Sequence, residues 1–137
     1  LMAQAMKFCQ ARLCCATLDQ VASAALYNVD ADYFAAVREE YQLRRDTVLN
    51  ALKKIPGVLV TKPEGAFYIY PYIGAYGLSS EEFCQRLLME EKCAIVPGTA
   101  FGDSGEGYIR VSYAYSMEEL KTALDRIEEF VKTLESR

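Results

Sequence analysis

The 137-residue chain contains no histidine and no tryptophan. The first absence removes a histidine general base, a Ser-His-Asp relay and a His-liganded zinc site from what the chain can build by itself. Cysteine is present, but not as a framework. The five cysteines are Cys9, Cys14, Cys15, Cys84 and Cys93, an odd number with two adjacent and no C-x-x-C pair. That pattern argues against a disulfide scaffold or a zinc ribbon, and for a reducing, cytoplasmic setting in which the thiols serve as small apolar side chains. No apolar run approaches the roughly 18 residues needed to cross a bilayer. An excess of basic charge is missing too. With 15 basic against 19 acidic side chains the net charge is −4, which disfavours a nucleic-acid surface driven by global charge.

What is there is an ordinary globular balance, 52% hydrophobic and 25% charged, and this excludes intrinsic disorder. The length can bury roughly two thirds of the surface exposed by the unfolded chain. The opening Leu1–Cys9 stretch reads as a helix with no capping residue before it and no secretory leader. We expect the chain to continue from a longer protein at that end.

Periodicity then gives the elements in order. Thr17-Leu18-Asp19-Gln20 has the T-x-x-Q form of a capping box and opens a short Ala-rich helix. After a turn at Asn28 to Asp32, a long helix carries Phe34, Val37, Tyr41, Val48, Leu52 and Ile55 on one face, until Pro56-Gly57 stops it. Val58-Leu59-Val60 and Ala66 to Tyr70 are β-favouring runs. Ser79 to Glu82 caps a helix with Phe83, Leu87 and Leu88. Cys93 to Val96 is a strand closed by Pro97-Gly98, Tyr108 to Ala114 is another, and Ser116 to Glu119 caps the last helix. Its stripe is Met117, Leu120, Leu124, Ile127, Val131 and Leu134. The order α-α-α-β-β-α-β-β-α predicts an α+β two-layer sandwich: a small mixed or antiparallel sheet covered on one face by helices, preceded by N-terminal helices. The expected division is 1–29, a leading helical segment, and 30–137, the domain proper.

Arg110 is the most informative candidate. Ile109 and Val111 face one side of its strand while Arg110 and Ser112 face the other. A guanidinium there is either solvated or recruited to hold an anion, and its planar fork matches a carboxylate through two parallel hydrogen bonds. The preceding loop, Pro97 to Gly107, is glycine-rich enough to approach a ligand closely. It matches neither a G-K-[ST] phosphate loop nor G-x-G-x-x-G. Arg44 and Arg45 have a simpler reading, as helix-surface partners of Glu40 or Asp46.

Taken together, Arg44-Arg45-Asp46, Pro63-Glu64-Gly65-Ala66-Phe67-Tyr68, Val96-Pro97-Gly98 with Phe101-Gly102, and Tyr108-Ile109-Arg110-Val111-Ser112-Tyr113-Ala114 resemble the C-terminal small domain of class I/II aminotransferases. These are pyridoxal-phosphate enzymes of the aspartate aminotransferase fold type I. The resemblance implies an enzyme, as the intact protein, that moves an amino group between amino acids and 2-oxo acids and acts as a homodimer, with no nucleic-acid or membrane partner. It puts the α-carboxylate of the substrate on Arg110, and makes Gly65 (for backbone freedom) and Phe67 possible cleft-lining residues, although Phe67 also reads as a core aromatic. The lysine that family members bond to the cofactor has a motif this chain lacks. No catalytic residue and no metal site is therefore expected within it, its cofactor contacts are unknown, and alone it should be inactive. The Gln10 to Thr17 segment carries Arg12, Leu13 and Cys14-Cys15 where relatives have polar residues or prolines. Two other readings keep the fold: a fold-type I enzyme of different chemistry, such as a β-lyase, or a non-enzymatic ligand-sensing module gripping an acid through Arg110.

Overall fold

A computed structural model describes residues 2–11 and 15–135; Arg12, Leu13 and Cys14 lie outside the described residues, as does the side chain of Cys9. The elements run α1 (Met2–Ala11), α2 (Thr17–Ala24), α3 (Ala31–Leu52), β1 (Tyr68–Ile69), α4 (Ser80–Glu91), β2 (Val96–Pro97), β3 (Ile109–Ser112) and α5 (Met117–Glu135). They divide into two compact units, Leu1–Ala36 and Val37–Arg137. The division falls inside α3, later than the turn at Asn28 to Asp32.

In the first unit none of the side chains described is buried, and Met2, Leu18 and Tyr27 are exposed. Helix α2 begins at Thr17, yet Thr17 is not its cap. The N-cap position is Ala16, whose methyl group cannot accept a hydrogen bond, and Gln20 donates instead to the Cys15 carbonyl at 2.8 Å. The T-x-x-Q pattern therefore lies one residue too far along the chain to close a capping box.

The second unit is the α+β sandwich. Its sheet has the order β1-β3-β2, antiparallel throughout, with Tyr68 opposite Ser112, Ile69 opposite Val111 and Val96 opposite Arg110. Alternation puts Ile109, Val111 and Tyr113 on the buried side of β3, where the C-terminal part of α3, α4 and α5 cover them. Helix α5 supplies Leu120, Leu124, Ile127 and Val131, as its spacing predicts, and also Phe130, which meets Phe83 edge-on at 5.1 Å. On α4 the buried turn uses Cys84, while Leu88 is exposed.

Two caps hold as read. Ser79 accepts from the Glu82 N–H at 3.1 Å. Ser116 and Glu119 form the complete reciprocal box: the Ser116 hydroxyl accepts from the Glu119 N–H, and the Glu119 carboxylate accepts from the Ser116 N–H, both at 3.2 Å. The Ser116 hydroxyl also donates to the Glu119 carboxylate at 2.7 Å, and this bond, with the one from the Ser116 N–H, holds the Glu119 carboxyl below the usual carboxylate range. The expected strand at Val58 to Val60 reduces to a single bridge between Leu59 and Tyr72. Four residues separate Gly57 from the Lys62-Pro63 corner, and of these only Leu59 meets a partner strand, exchanging backbone hydrogen bonds with Tyr72.

The glycine-rich loop between β2 and β3 is closed at its base. A Cβ added at Gly98 would meet the Gly105 carbonyl oxygen at 2.1 Å, and one at Gly105 would meet the Gly98 oxygen at 2.1 Å. The close approach expected of these glycines is thus between two backbones.

Candidate functional site

Strand β3 lifts Arg110 from the outer face of the sheet, opposite the packed helices. Its guanidinium carbon lies 4.3 Å from the centre of the Tyr68 ring and 4.6 Å from that of Phe101. Tyr68 reaches it diagonally from β1, and Phe101 from the 3-10 turn Gly98–Phe101 that follows β2. Tyr70 would be the side chain directly across from Arg110, but it is otherwise engaged. Its ring stacks on Tyr108 at 5.4 Å and its hydroxyl donates to the Gly98 carbonyl at 3.1 Å.

Of the five other described arginines, Arg38 is exposed and unpaired, and the remaining four are engaged within the protein. Arg44 pairs with Glu40, Arg45 with Asp46 and Arg86 with Glu90, each at 2.8 Å. Arg126 donates to the Lys92 carbonyl at 3.0 Å. The Arg45 hydrogen bond holds the Asp46 carboxyl below its ordinary range. Arg110 is half-buried, and among the described residues no carboxylate pairs with it. A guanidinium with rings beside its carbon and no internal acid has N–H donors to spend on an anion from outside. It lines a groove of about 650 Å³ together with Tyr68, Val96, Ser112 and Tyr115; helix α5 forms much of the wall, contributing Glu118, Glu119 and Arg126, and Lys92 adds a further cation.

Neither Gly65 nor Phe67 lines that groove, although Phe67 packs against Tyr68, which does. Gly65 lines a smaller hollow with Arg38, Tyr41, Pro63 and Tyr113, and its backbone is not left-handed. The positive φ of 58° belongs to the next residue, Ala66, whose carbonyl accepts from the Tyr113 hydroxyl at 2.9 Å. Burial pushes that hydroxyl's pKa up. Phe67 is no core aromatic: it is 40% exposed, with its ring 4.3 Å from that of Tyr68. The pattern of the sequence pointed to Arg110 but not to Tyr68 and Phe101. Their signal was present only as aromatic residues in the F-Y and A-F-G segments.

Comparison with known proteins gives this geometry a context. The family model "Aminotransferase class I and II" matches residues 1–127. The chain belongs to that family.

An aspartate aminotransferase of Pyrococcus horikoshii is 49% identical over 92 residues, 67% of this chain and 24% of the relative. The aromatic-amino-acid aminotransferase 2 of Thermococcus litoralis is 48% identical over 96 residues, 70% and 24% of the two chains. Among solved structures, an alanine aminotransferase from Pyrococcus furiosus superposes with a TM-score of 0.79 at 35% identity, over 93% of this chain and 33% of that one. The chain thus spans about a quarter to a third of the aminotransferases it matches.

Aminotransferases of this family depend on pyridoxal phosphate, which requires a lysine able to bond it. The lysines here do not fit. Every one is exposed; Lys92 donates to the Met89 carbonyl at 2.6 Å, and Lys132 lies 3.0 Å from both Glu128 and Glu129. The Glu129 hydrogen bond raises the Lys132 pKa, away from the deprotonated amine a carbonyl cofactor needs. No step through the cofactor is therefore assigned to these side chains. No helix among the described residues is long and apolar enough to cross a membrane.

Proposed function

We propose that this chain is the C-terminal, substrate-gripping portion of a pyridoxal-phosphate-dependent aminotransferase, in which Arg110 binds the α-carboxylate of an amino acid or 2-oxo acid. The observation that carries the reading is the half-buried guanidinium with aromatic neighbours and no carboxylate of its own. The relatives add support. Their names specify aspartate, aromatic amino acids and alanine, side chains with little in common, while identity to this chain is 49% for the first and 48% for the second. What such substrates share is the acid group on Cα, and a portion that binds this group need not vary with the side chain.

The chemistry of the grip is orientation. Two parallel N–H···O bonds fix the plane of a carboxylate, and with it the direction of the Cα bonds. Held geometry of this kind lowers a barrier by removing freedom that would otherwise be lost at the transition state. Every relative named above is an aminotransferase, which favours amino-group transfer over β-lyase chemistry. The chain alone, lacking a suitable lysine, should produce no protein-specific absorption band when pyridoxal phosphate is added.

In the longer protein, Arg110→Ala should raise KM for amino and 2-oxo acids alike and lower kcat/KM about a hundredfold, since an unpaired buried charge partner costs on the order of 3 kcal/mol. Steady-state kinetics unchanged in that variant would refute the assignment.

A further inference from the structure

We infer that Phe101 is a positioning residue for Arg110: its ring, with that of Tyr68, holds the guanidinium in place before an acid arrives. This rests on the carboxylate-binding reading above and adds the means by which the grip is prepared. An arginine side chain has four rotatable bonds, and a free one loses that mobility only when it binds. Here the guanidinium carbon already lies 4.3 Å and 4.6 Å from two ring centres. Cation–π attraction to both rings restrains the group, and among the described residues no protein acceptor takes its N–H groups, which leaves them for an oxygen acceptor from outside.

Phe101 is 54% exposed, so the ring is not placed there by burial in the core. Its neighbours account for its position instead. Tyr70 braces it edge-on at 6.3 Å, Gly102 turns the backbone away at φ 121°, and the close backbones of Gly98 and Gly105 fix the two ends of its loop. Tyr70 is tied to Gly98 through its hydroxyl, which keeps it from competing for the guanidinium. The arrangement is a brace built on one cation.

The test uses the longer protein, ¹⁵N-labelled at arginine, with pyruvate as the probe and two readouts at Arg110: the order parameter of its Nε–H and its shift on titration. Phe101→Leu keeps the bulk and removes the π face, and Phe101→Tyr restores the ring. A backbone amide spectrum like that of the unmodified longer protein shows that each variant has folded. The expected result is that Leu lowers the Nε–H order parameter and weakens pyruvate binding roughly three- to tenfold, while Tyr returns both. If Leu leaves mobility and affinity unchanged, the ring does not position Arg110 and the inference is overturned, although pyruvate would still shift Nε–H. If pyruvate fails to shift Nε–H in the unmodified longer protein, or binds its Arg110→Ala variant equally well, the carboxylate reading itself fails and takes this inference with it.

Discussion

The two faces of β3 are one residue apart in sequence and opposite in purpose. Ile109, Val111 and Tyr113 point into a core shared with three helices. Arg110 points the other way, toward rings that are themselves partly exposed. The inner face gains stability from area removed from water, a non-directional effect that tolerates any well-packed apolar set. The outer face gains almost nothing that way, and its value lies in direction: a planar cation with unspent N–H donors. A strand with period two can serve both needs because neighbouring side chains do not share an environment.

That separation can be broken by experiment. The largest effect on folding should come from Ile109→Ala, which empties a site only 1% exposed and should cost about 2–5 kcal/mol in urea unfolding, while acid binding by the folded fraction persists. The adjacent Arg110→Ala should do the reverse, abolishing binding while costing under about 2 kcal/mol through lost ring contacts. Similar stability losses in the two variants would show that the faces are not independent.

Gly98→Ala lies between these cases. Its Cβ would overlap the Gly105 oxygen, so about 1–3 kcal/mol of strain is expected, together with weaker acid binding as the loop carrying Phe101 shifts. A variant destabilised to that degree but binding normally would detach the loop from the site.

The smallest effect is alkaline. Burial pushes the Cys84 thiol up to about 12 from an ordinary value near 9, so the unfolded chain ionises first. Stability from this group is complete below the unfolded value and is lost as pH rises toward the folded one. Between pH 8 and 10.5 the urea midpoint should therefore fall less in Cys84→Ala than in the unmodified chain; equal slopes would mean the thiol reaches solvent.

Local signals were read well from the sequence. The Ser116–Glu119 box, the α5 stripe and the alternation that isolates Arg110 all depend on residues within a few positions of one another. Other features needed tertiary information. Thr17 looks like a cap until the helix start is known, and Val58 to Val60 looks like a strand until it is seen to have one bridging partner. Phe101 and Tyr68 are 33 residues apart in the numbering and meet Arg110 only once the sheet order is known. Ala66 takes the left-handed backbone that the neighbouring Gly65 could have adopted without strain.

The mutual contact of Gly98 and Gly105 leaves the residues between them hung from the sheet as a nearly closed ring of main chain. Ala100, Asp103 and Ser104 on that ring are solvent-facing. Exchanging or adding residues there would redecorate the surroundings of Arg110 without altering the pairing of β2 with β3. The pinch makes the segment a replaceable cassette, whose exposed residues can be exchanged while the strands beneath stay in register.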